Sequence, residues 1–513
     1  FDITYNAPVS AVITGTLDES TSSNIVIGGK TIIITLTNDT WVASGAAFNA
    51  IRADIIAGLD AASSPTNGWN NQVRDGTLVV TNVVRTGDTV VTVTLPATPL
   101  YNTNAAEVIT VTVPASAMLV EPGAVVATPG QDITPSSSST STILASTYHS
   151  GDDDGTLWRS YFDPVYWYSI DQIISGEDQG VMLAASYLSG QSLWVVGVGN
   201  PVSPTDGKIM TSADEGDTWT ERTPAFEPDL LQPTPSIAHD DFGALLSTSN
   251  GTSDLGKAAQ FSVNGTTSWT NLTTPMQAGL SGTGFIYLTP LNFLYDGTYL
   301  YTQCNMHNLT SGFETGFIRS ADLGAGAITD NWGAEIISAM DFANGASCLG
   351  EGIMILIGSI STDVRLEWMT QGGTSLTLAT GAFDSSSRSR PKLCVFDGGT
   401  KWLAMTVDCY SWYVDTTGGT LDVKDPTDWT ASAGHVFGSG GETLFNLFYD
   451  KGSDGSNGLG FVAFTREGSG ASAVTKMYSS TDGESWTNHK TFPAIAYTYG
   501  SAGKHPLLPA DVA

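Results

Sequence analysis

The chain of 513 residues carries 14% charged and 41% hydrophobic side chains with 56 Gly, which excludes helical bundles, coiled coils and disorder. Twenty Lys plus Arg against 51 Asp plus Glu give a net charge of −31, a surface that repels phosphate backbones and anionic lipid. No apolar run approaches the ~18 residues needed to span a bilayer, so neither nucleic-acid binding nor membrane insertion is expected of this β-rich chain of roughly two to four domains.

The chain starts at Phe1 rather than Met, which implies an upstream piece that was cleaved or left out. Phe1 to Asn6 alternate apolar and polar side chains and are expected as the first strand of their own domain, with addition to a neighbouring subunit's edge as the alternative. Further strand-like runs fall at residues 11–14, 31–37, 78–84, 89–95 and 108–113, the last three rich in Val, Thr and Ile. Between them, Phe48, Ile51, Ile55, Ile56 and Leu59 share one stripe at three-to-four residue spacing, which predicts a helix over residues 47–61. A sandwich of about seven short strands with one helical crossover, residues 1–128, fits this pattern. The composition then shifts to Pro, Gly, Ser and Thr, including serines 136–139, so residues 129–146 read as a linker to a second domain over residues 147–513.

After the linker the sequence repeats. Ser212, Asp214, Gly216 and Trp219 have the spacing S-x-D-x-G-x-x-W, and Ser480, Asp482, Gly483 and Trp486 are a version one residue shorter. Ser262, Asn264, Gly265 and Trp269 keep the outline with Asn in place of Asp. Ser320, Asp322 and Gly324 begin the same way but reach an indole only at Trp332. Asp415 with Gly418 and Trp429, and residues 371–373, are degenerate copies. Strand starts near residues 193, 243, 299, 353, 402 and 460 recur at a period of about fifty residues. Six such starts imply an all-β ring of six four-stranded blades, with seven as the alternative, because a lone blade leaves both apolar faces uncovered. In each turn the Asp accepts backbone N–H groups and Gly supplies a positive φ. The Trp buries ~1.5–3 kcal/mol or more of apolar surface on a neighbouring sheet.

The turns at residues 212–219 and 480–486 resemble the Asp-box of the sialidase-like β-propeller superfamily, over about residues 145–513. That likeness implies a propeller fold with the turns on the rim, and it implies no activity. Gly28-Gly29-Lys30-Thr31, Asp39-Thr40-Trp41-Val42, Gly68-Trp69-Asn70 and residues 84–91 resemble an Ig-like module of tailed-phage and environmental viral virion proteins, over about residues 8–128. Those modules decorate capsids, tails and fibres, so the likeness implies a virion component.

Sialidase-type catalysis requires an arginine triad, an acid Asp and a Tyr–Glu nucleophile pair, and the family's Phe/Tyr-Arg-Ile-Pro signature is missing here. After the linker the arginines are Arg159, Arg222, Arg319, Arg365, Arg388, Arg390 and Arg466; Arg319 is expected at a blade edge, and Arg388 and Arg390 in a solvated loop. The acidic clusters at residues 152–154 and 240–241 read as turn chemistry. Asp152 to Asp154, and Asp450 with Asp454, are weak Ca²⁺ candidates lacking the full calcium-loop pattern, and no cofactor is expected. The six His form no ligand pair, and no Gly-x-Ser-x-Gly elbow occurs. Cys304, Cys348, Cys394 and Cys409 read as small buried residues, with Cys394 and Cys409 the pair that flanks a hairpin turn. Two aromatic clusters, residues 158–168 and 410–413, read first as packing seams. Exposed, Trp158, Tyr161, Tyr166, Trp167 and Trp412 are the candidate glycan contacts.

The expectation is a non-enzymatic virion surface protein, a capsid decoration, tail or fibre component, whose partners are other virion proteins or copies of itself and, at the propeller, host-surface glycans. A secreted glycoside hydrolase of sialidase-like fold and a cellular extracellular adhesin or fibre subunit are the alternatives.

Overall fold

The computed structural model describes residues 10–15, 31–37, 40–62, 79–94, 109–111, 131–133, 142–149, 154–161, 167–171, 181–199, 207–213, 216, 218–224, 236–247, 259–278, 285–308, 312–320, 322–323, 328, 332–333, 335–340, 346–360, 363–381, 383, 391–437, 441–452, 458–468, 473–492 and 497–503. The chain divides into two compact units, residues 1–140 with 161–168, and residues 141–160 with 169–513.

In the first unit, strands β1 (Ser10–Gly15), β2 (Thr31–Thr37), β3 (Val83–Arg85) and β4 (Val90–Thr94) form one antiparallel sheet in the order β1-β2-β4-β3. Alternation sets its face: Val91 and Val93 are buried while Val90, Thr92 and Thr94 between them are half-buried. Helix α1 (Ala46–Ala62) lies against β3 and buries Phe48 and Ile55; Ile34, Leu36, Trp41 and Val83 are buried as well. The Trp41 indole N–H donates to the Thr89 carbonyl at 3.0 Å, so the buried ring leaves no donor unmade. A separate two-stranded ladder joins β5 (Ile109–Val111) to β6 (Gln131–Ile133). The expected run at residues 78–84 is a 3-10 turn over Val80–Asn82 followed by β3. Residues 1–6, Gly28 to Lys30, Asp39 and Gly68 to Asn70 lie outside the described residues.

The linker reading is corrected in part, because β6 and the start of β7 (Thr142–His149) fall within residues 129–146. Polar composition concealed short strands whose apolar content is small but well placed: Ile143, Leu144 and Ala145 are fully buried.

After β7 come β8 (Asp154–Tyr161) and β9 (Trp167–Asp171). Sheet 1 is β10 (Val181–Leu188), β11 (Leu193–Gly199), β12 (Lys208–Ser212) and β13 (Thr220–Arg222). Sheet 2 is β14 (Ser236–His239), β15 (Gly243–Ser247), β16 (Ala259–Ser262) and β17 (Thr270–Asn271), followed by helix α2 (Thr273–Ala278). Sheet 3 is β18 (Phe285–Tyr295), β19 (Leu300–Asn308), β20 (Gly312–Arg319) and β21 (Glu335–Ile337). Sheet 4 is β22 (Ala346–Gly350), β23 (Ile353–Ile360), β24 (Asp363–Thr370) and β25 (Thr377–Leu378). Sheet 5 is β26 (Pro391–Phe396), β27 (Lys401–Thr406), β28 (Ser411–Asp415) and β29 (Thr430–Ala431). Sheet 6 is β30 (Glu442–Asp450), β31 (Gly460–Glu467), β32 (Val474–Ser480) and β33 (Thr487–Thr491). Sheet 7 takes β34 (Tyr497–Gly503) as its first strand and continues β34-β7-β8-β9.

The second unit is therefore an all-β propeller. The first strands touch in a closed series: β10 with β14, β14 with β18, β18 with β22, β22 with β26, β26 with β30, β30 with β34, and β34 with β10. Each of the six strand starts read from the sequence opens the second strand of sheets 1 to 6. The described residues hold seven such sheets, so the ring has seven blades rather than six. The seventh escapes the period because its first two strands are not joined by a hairpin.

Burial follows position in the ring. Strands β11 and β15 are buried along their whole length, because a blade packed on both sides leaves neither face to water. Fourth strands such as β17, β25 and β29 are two residues long and exposed, which blunts the outer edge against pairing with another chain.

Candidate functional site

The Ser-initiated turns connect the third and fourth strands of sheets 1, 2, 3 and 6. In sheet 6, Ser480 Oγ donates to Asp482 Oδ1 at 2.9 Å and accepts the Gly483 N–H at 2.8 Å. Asp482 Oδ1 also accepts the N–H groups of Glu484 and Ser485 at 2.9 and 2.7 Å. Gly483 has φ +80°, the left-handed conformation this turn needs. Trp486 donates to the Gly483 carbonyl at 3.2 Å and packs on a cluster containing Leu403 and Met405 of sheet 5.

Sheet 2 repeats the design with an amide: Asn264 Oδ1 accepts from the N–H groups of Thr266 and Thr267 at 3.0 and 2.9 Å. Its Gly265 sits where a Cβ would come within 2.9 Å of Val195 in sheet 1, and Trp269 is buried against Leu193 and Val195. In sheet 1 the Gly216 N–H donates to Ser212 Oγ at 2.7 Å, and Trp219 packs on Leu144, Trp194 and Met210; Asp214 lies outside the described residues. Sheet 3 departs from the pattern. Ser320 Oγ accepts the Leu300 N–H at 2.9 Å, Asp322 is exposed, and Gly324 lies outside the described residues. Trp332 is nonetheless buried with Phe261 of sheet 2, its N–H on the Ile328 carbonyl at 3.0 Å. Trp219, Trp269, Trp429 and Trp486 each directly precede a fourth strand, and sheet 4 has Leu376 there.

Burial alone would raise the Asp482 carboxyl, but the N–H groups of Ser485 and Glu484 and the hydroxyls of Ser480 and Ser485 outweigh it and hold it below the usual range. The folded value being the lower one, this stabilisation is present above the unfolded value of ~3.9 and is lost as pH falls through the folded value. Asp482→Ala should lower stability at pH 7 by about 1–2 kcal/mol in urea denaturation, the gap narrowing in acid. Asp482→Asn, which copies sheet 2, should retain most of the stability and lose the pH dependence. Equal acid sensitivity in wild type and the Asn variant would rule this role out.

A second set of acids occupies the turns between first and second strands, on sheets 2 to 6: Asp240 and Asp241, Asp296, Glu351, Asp397 and Asp450. Asp240 accepts the Gly190 N–H of sheet 1 at 2.7 Å, and Asp241 accepts the Tyr295 hydroxyl of sheet 3 at 2.6 Å. Asp296 accepts the N–H groups of Thr298 and Tyr299 and the Tyr301 hydroxyl, whose oxygen in turn accepts the Gly372 N–H of sheet 4 at 2.9 Å. Glu351 accepts from Thr416 at 3.0 Å and from the Trp402 indole at 3.3 Å, both on sheet 5. Part of the acidic excess thus laces blade to blade.

Of the arginines, Arg319 crosses between blades, and Arg222 and Arg365 bond within their own. Arg319 lies 4.4 Å over the Tyr299 ring and donates to the Gly372 and Gly373 carbonyls, the blade-edge position its place in sequence predicts. Arg365 binds Asp363 and the Gly381 carbonyl, and Arg222 binds Thr211. Arg388 and Arg390 lie outside the described residues.

Of the candidate glycan contacts, Trp158 is half-buried in β8. Its N–H donates to Thr147 at 2.7 Å and its ring meets Phe492 edge-on at 5.3 Å. Tyr161 and Trp167 lie in β8 and β9 with side chains outside the described set, and Tyr166 is wholly outside it. Trp412 is corrected: it is 0% exposed, in the core shared by sheets 3 to 5. Its cross-strand partners are Ala404 and Ala431, whose small side chains leave the sheet face to the indole. No sugar reaches that ring.

Sequence reasoning missed a charged group where β30 begins, at the opposite strand ends from the turns. The Glu442 side chain is 1% exposed; its Oε1 accepts the Tyr478 hydroxyl at 3.0 Å and lies 3.6 Å from Lys476 Nζ. Lys476 also meets Glu467 at 2.6 Å, and this partner raises its pKa. Glu442 Oε2 is buried with no hydrogen-bond partner. Cys409 Sγ lies 3.6 Å from the Glu442 carbonyl, and burial, then the Glu442 charge, pushes its thiol up to about 12. The Lys476-x-Tyr478 spacing places both side chains on one sheet face, but only the strand register brings Glu442 to them.

All four cysteines are free and buried, and Cys394 faces Cys348, not Cys409. Among the described residues no group of three His, Cys, Asp or Glu could hold a metal ion. Asp152, Asp153 and Asp454 of the Ca²⁺ candidates lie outside those residues.

No protein-family model matches the chain, and no curated protein matches its sequence. Solved structures similar to it include YCF48 bound to D1 peptide, at 13% identity and a TM-score of 0.35, covering 60% of this chain and 82% of that one. TolB from Acinetobacter baumannii is similar at 10% identity and a TM-score of 0.35, covering 71% of this chain and 66% of that one.

Proposed function

We propose that this protein is a non-enzymatic structural component of a virion surface, a capsid decoration, tail or fibre protein. In this reading its front unit is an Ig-like module and the Ser-initiated turns are Asp-boxes. Its partners are other virion proteins or further copies of itself, and its propeller offers a surface for host glycans. The observation that carries the reading is how the acidic turns and indoles of the blades, together with Arg319, are used. They bind one blade to the next, as suits a durable scaffold. The virion setting itself rests on the sequence likeness in residues 8–128. Purified native particles test it: co-purification of this chain with capsid proteins is the expected result. Recovery with cell envelopes and no capsid protein would overturn it in favour of a cellular adhesin.

One observation favours a second reading, a glycoside hydrolase: Tyr478 and Glu442 form a hydrogen-bonded pair of the type sialidase chemistry uses. Against it, Tyr478 is 6% exposed and sealed behind Phe437, whose ring stacks on it at 4.5 Å. Turnover on a glycan array by the wild type, abolished in Glu442→Gln, would replace the structural reading with the enzymatic one.

A further inference from the structure

The geometry points to a cross-blade disulfide site between Cys348 and Cys394. The two residues lie on β22 and β26, first strands of sheets 4 and 5, which touch along the ring. The strands approach closely: a Cβ at Gly350 would come within 2.5 Å of the Phe396 ring. Two residues earlier on each strand, on the same faces of the pleat, stand Cys348 and Cys394. Their thiols are within hydrogen-bonding reach in a single apolar cluster, and both are reduced. The pair suggested by sequence proximity, Cys394 with Cys409, does not meet. Cys409 lies in the turn after β27 and points to the Glu442 carbonyl of sheet 6.

The co-reactant is a small-molecule or protein disulfide, RSSR. One cysteine thiolate attacks it, the RS–SR bond breaks, and RS⁻ leaves and takes up the proton that the cysteine released. The second cysteine, deprotonated, attacks the resulting mixed disulfide; the Cys348–Cys394 bond forms and a second RSH departs. Two protein thiols are oxidised and one RSSR is reduced to two RSH. Burial raises the Cys394 thiol, so exchange in the closed ring is slow and the bond forms during folding, as sheets 4 and 5 come together and before the thiols are sealed from the oxidant. Once made, it ties sheets 4 and 5 at their innermost strands and closes a loop of roughly 46 residues.

The test refolds the full chain from denaturant in a mixture of oxidised and reduced glutathione, alkylates the remaining thiols, and maps unreduced peptides by mass spectrometry. One linked pair containing Cys348 and Cys394 is expected, with Cys304 and Cys409 alkylated. The oxidised protein should melt on the order of 5–10 °C above the same protein reduced with dithiothreitol. Cys348→Ser and Cys394→Ser should each lose the link and the shift, and Cys409→Ser should keep both. Should the serine variants fail to fold, counting thiols of the oxidised wild type in denaturant decides. Two support the site; four, or a Cys394–Cys409 link, overturn it.

Discussion

Deleting residues 497–503 will unfold the propeller as a whole rather than trim one strand from it. These residues are β34, which pairs antiparallel with β7 from Tyr497 opposite Tyr148 to Gly503 opposite Ile143. They also fill the place between β10 and β30. Without them, β7 keeps β8 on one edge and loses its partner on the other, along the stretch where Ile143, Leu144 and Ala145 are fully buried. Each buried backbone group left unpaired costs ~1–3 kcal/mol, and the exposed edge carries several. The total is comparable to the ~5–15 kcal/mol that holds a whole domain folded. Calorimetry should show the main cooperative transition abolished, with dye-binding apolar surface exposed at 25 °C. Adding a synthetic peptide of residues 493–513 should restore part of it. A truncated chain that still melts sharply within a few degrees of the wild type would show that the ring does not depend on this strand.

Trp412→Ala should cost about 3–5 kcal/mol in urea denaturation and leave any glycan binding by the folded protein unchanged. The indole fills the space above Ala404 and Ala431 and meets Phe383 edge-on at 6.0 Å, in a core reaching from Tyr301 to Trp429. Removing an indole from so closely packed a core leaves a cavity, whose cost adds to the lost transfer term. The half-buried Trp158 is the contrast: its alanine variant should cost less. A glycan affinity lost in Trp412→Ala at unchanged stability would contradict the burial described for this ring.

The propeller was legible because its signals are local. An Asp or Asn that accepts its own turn's N–H groups, a Gly at positive φ and an indole before the fourth strand all lie within eight residues, as at Ser480 to Trp486. The second strands were legible for the same reason, being short apolar runs opened by hairpins. What failed to show was whatever depends on distant pairing. Sheet 7 draws its strands from positions 142–171 and 497–503, so it has no first hairpin to detect. Glu442, Lys476 and Tyr478 come together only through the register of β30, β31 and β32. Trp412 fits the packing-seam reading and not the glycan one, a choice left open because an aromatic cluster in sequence does not say which face of the pleat each ring takes. Cys394 misled, its neighbour across the blade interface being 46 positions upstream.

The pairing of β34 with β7 also dictates when this molecule can finish folding. On a ribosome, sheets 1 to 6 emerge in order and each can form as its own four strands appear, whereas β7 must wait for a partner some 350 residues later. At ~5–20 residues per second that delay is on the order of tens of seconds. Closing so long a loop costs about 5 kcal/mol of chain entropy against about 2 for a ten-residue hairpin. The nascent protein therefore passes through an open, C-shaped stage whose last gap is clasped only after synthesis has passed residue 503.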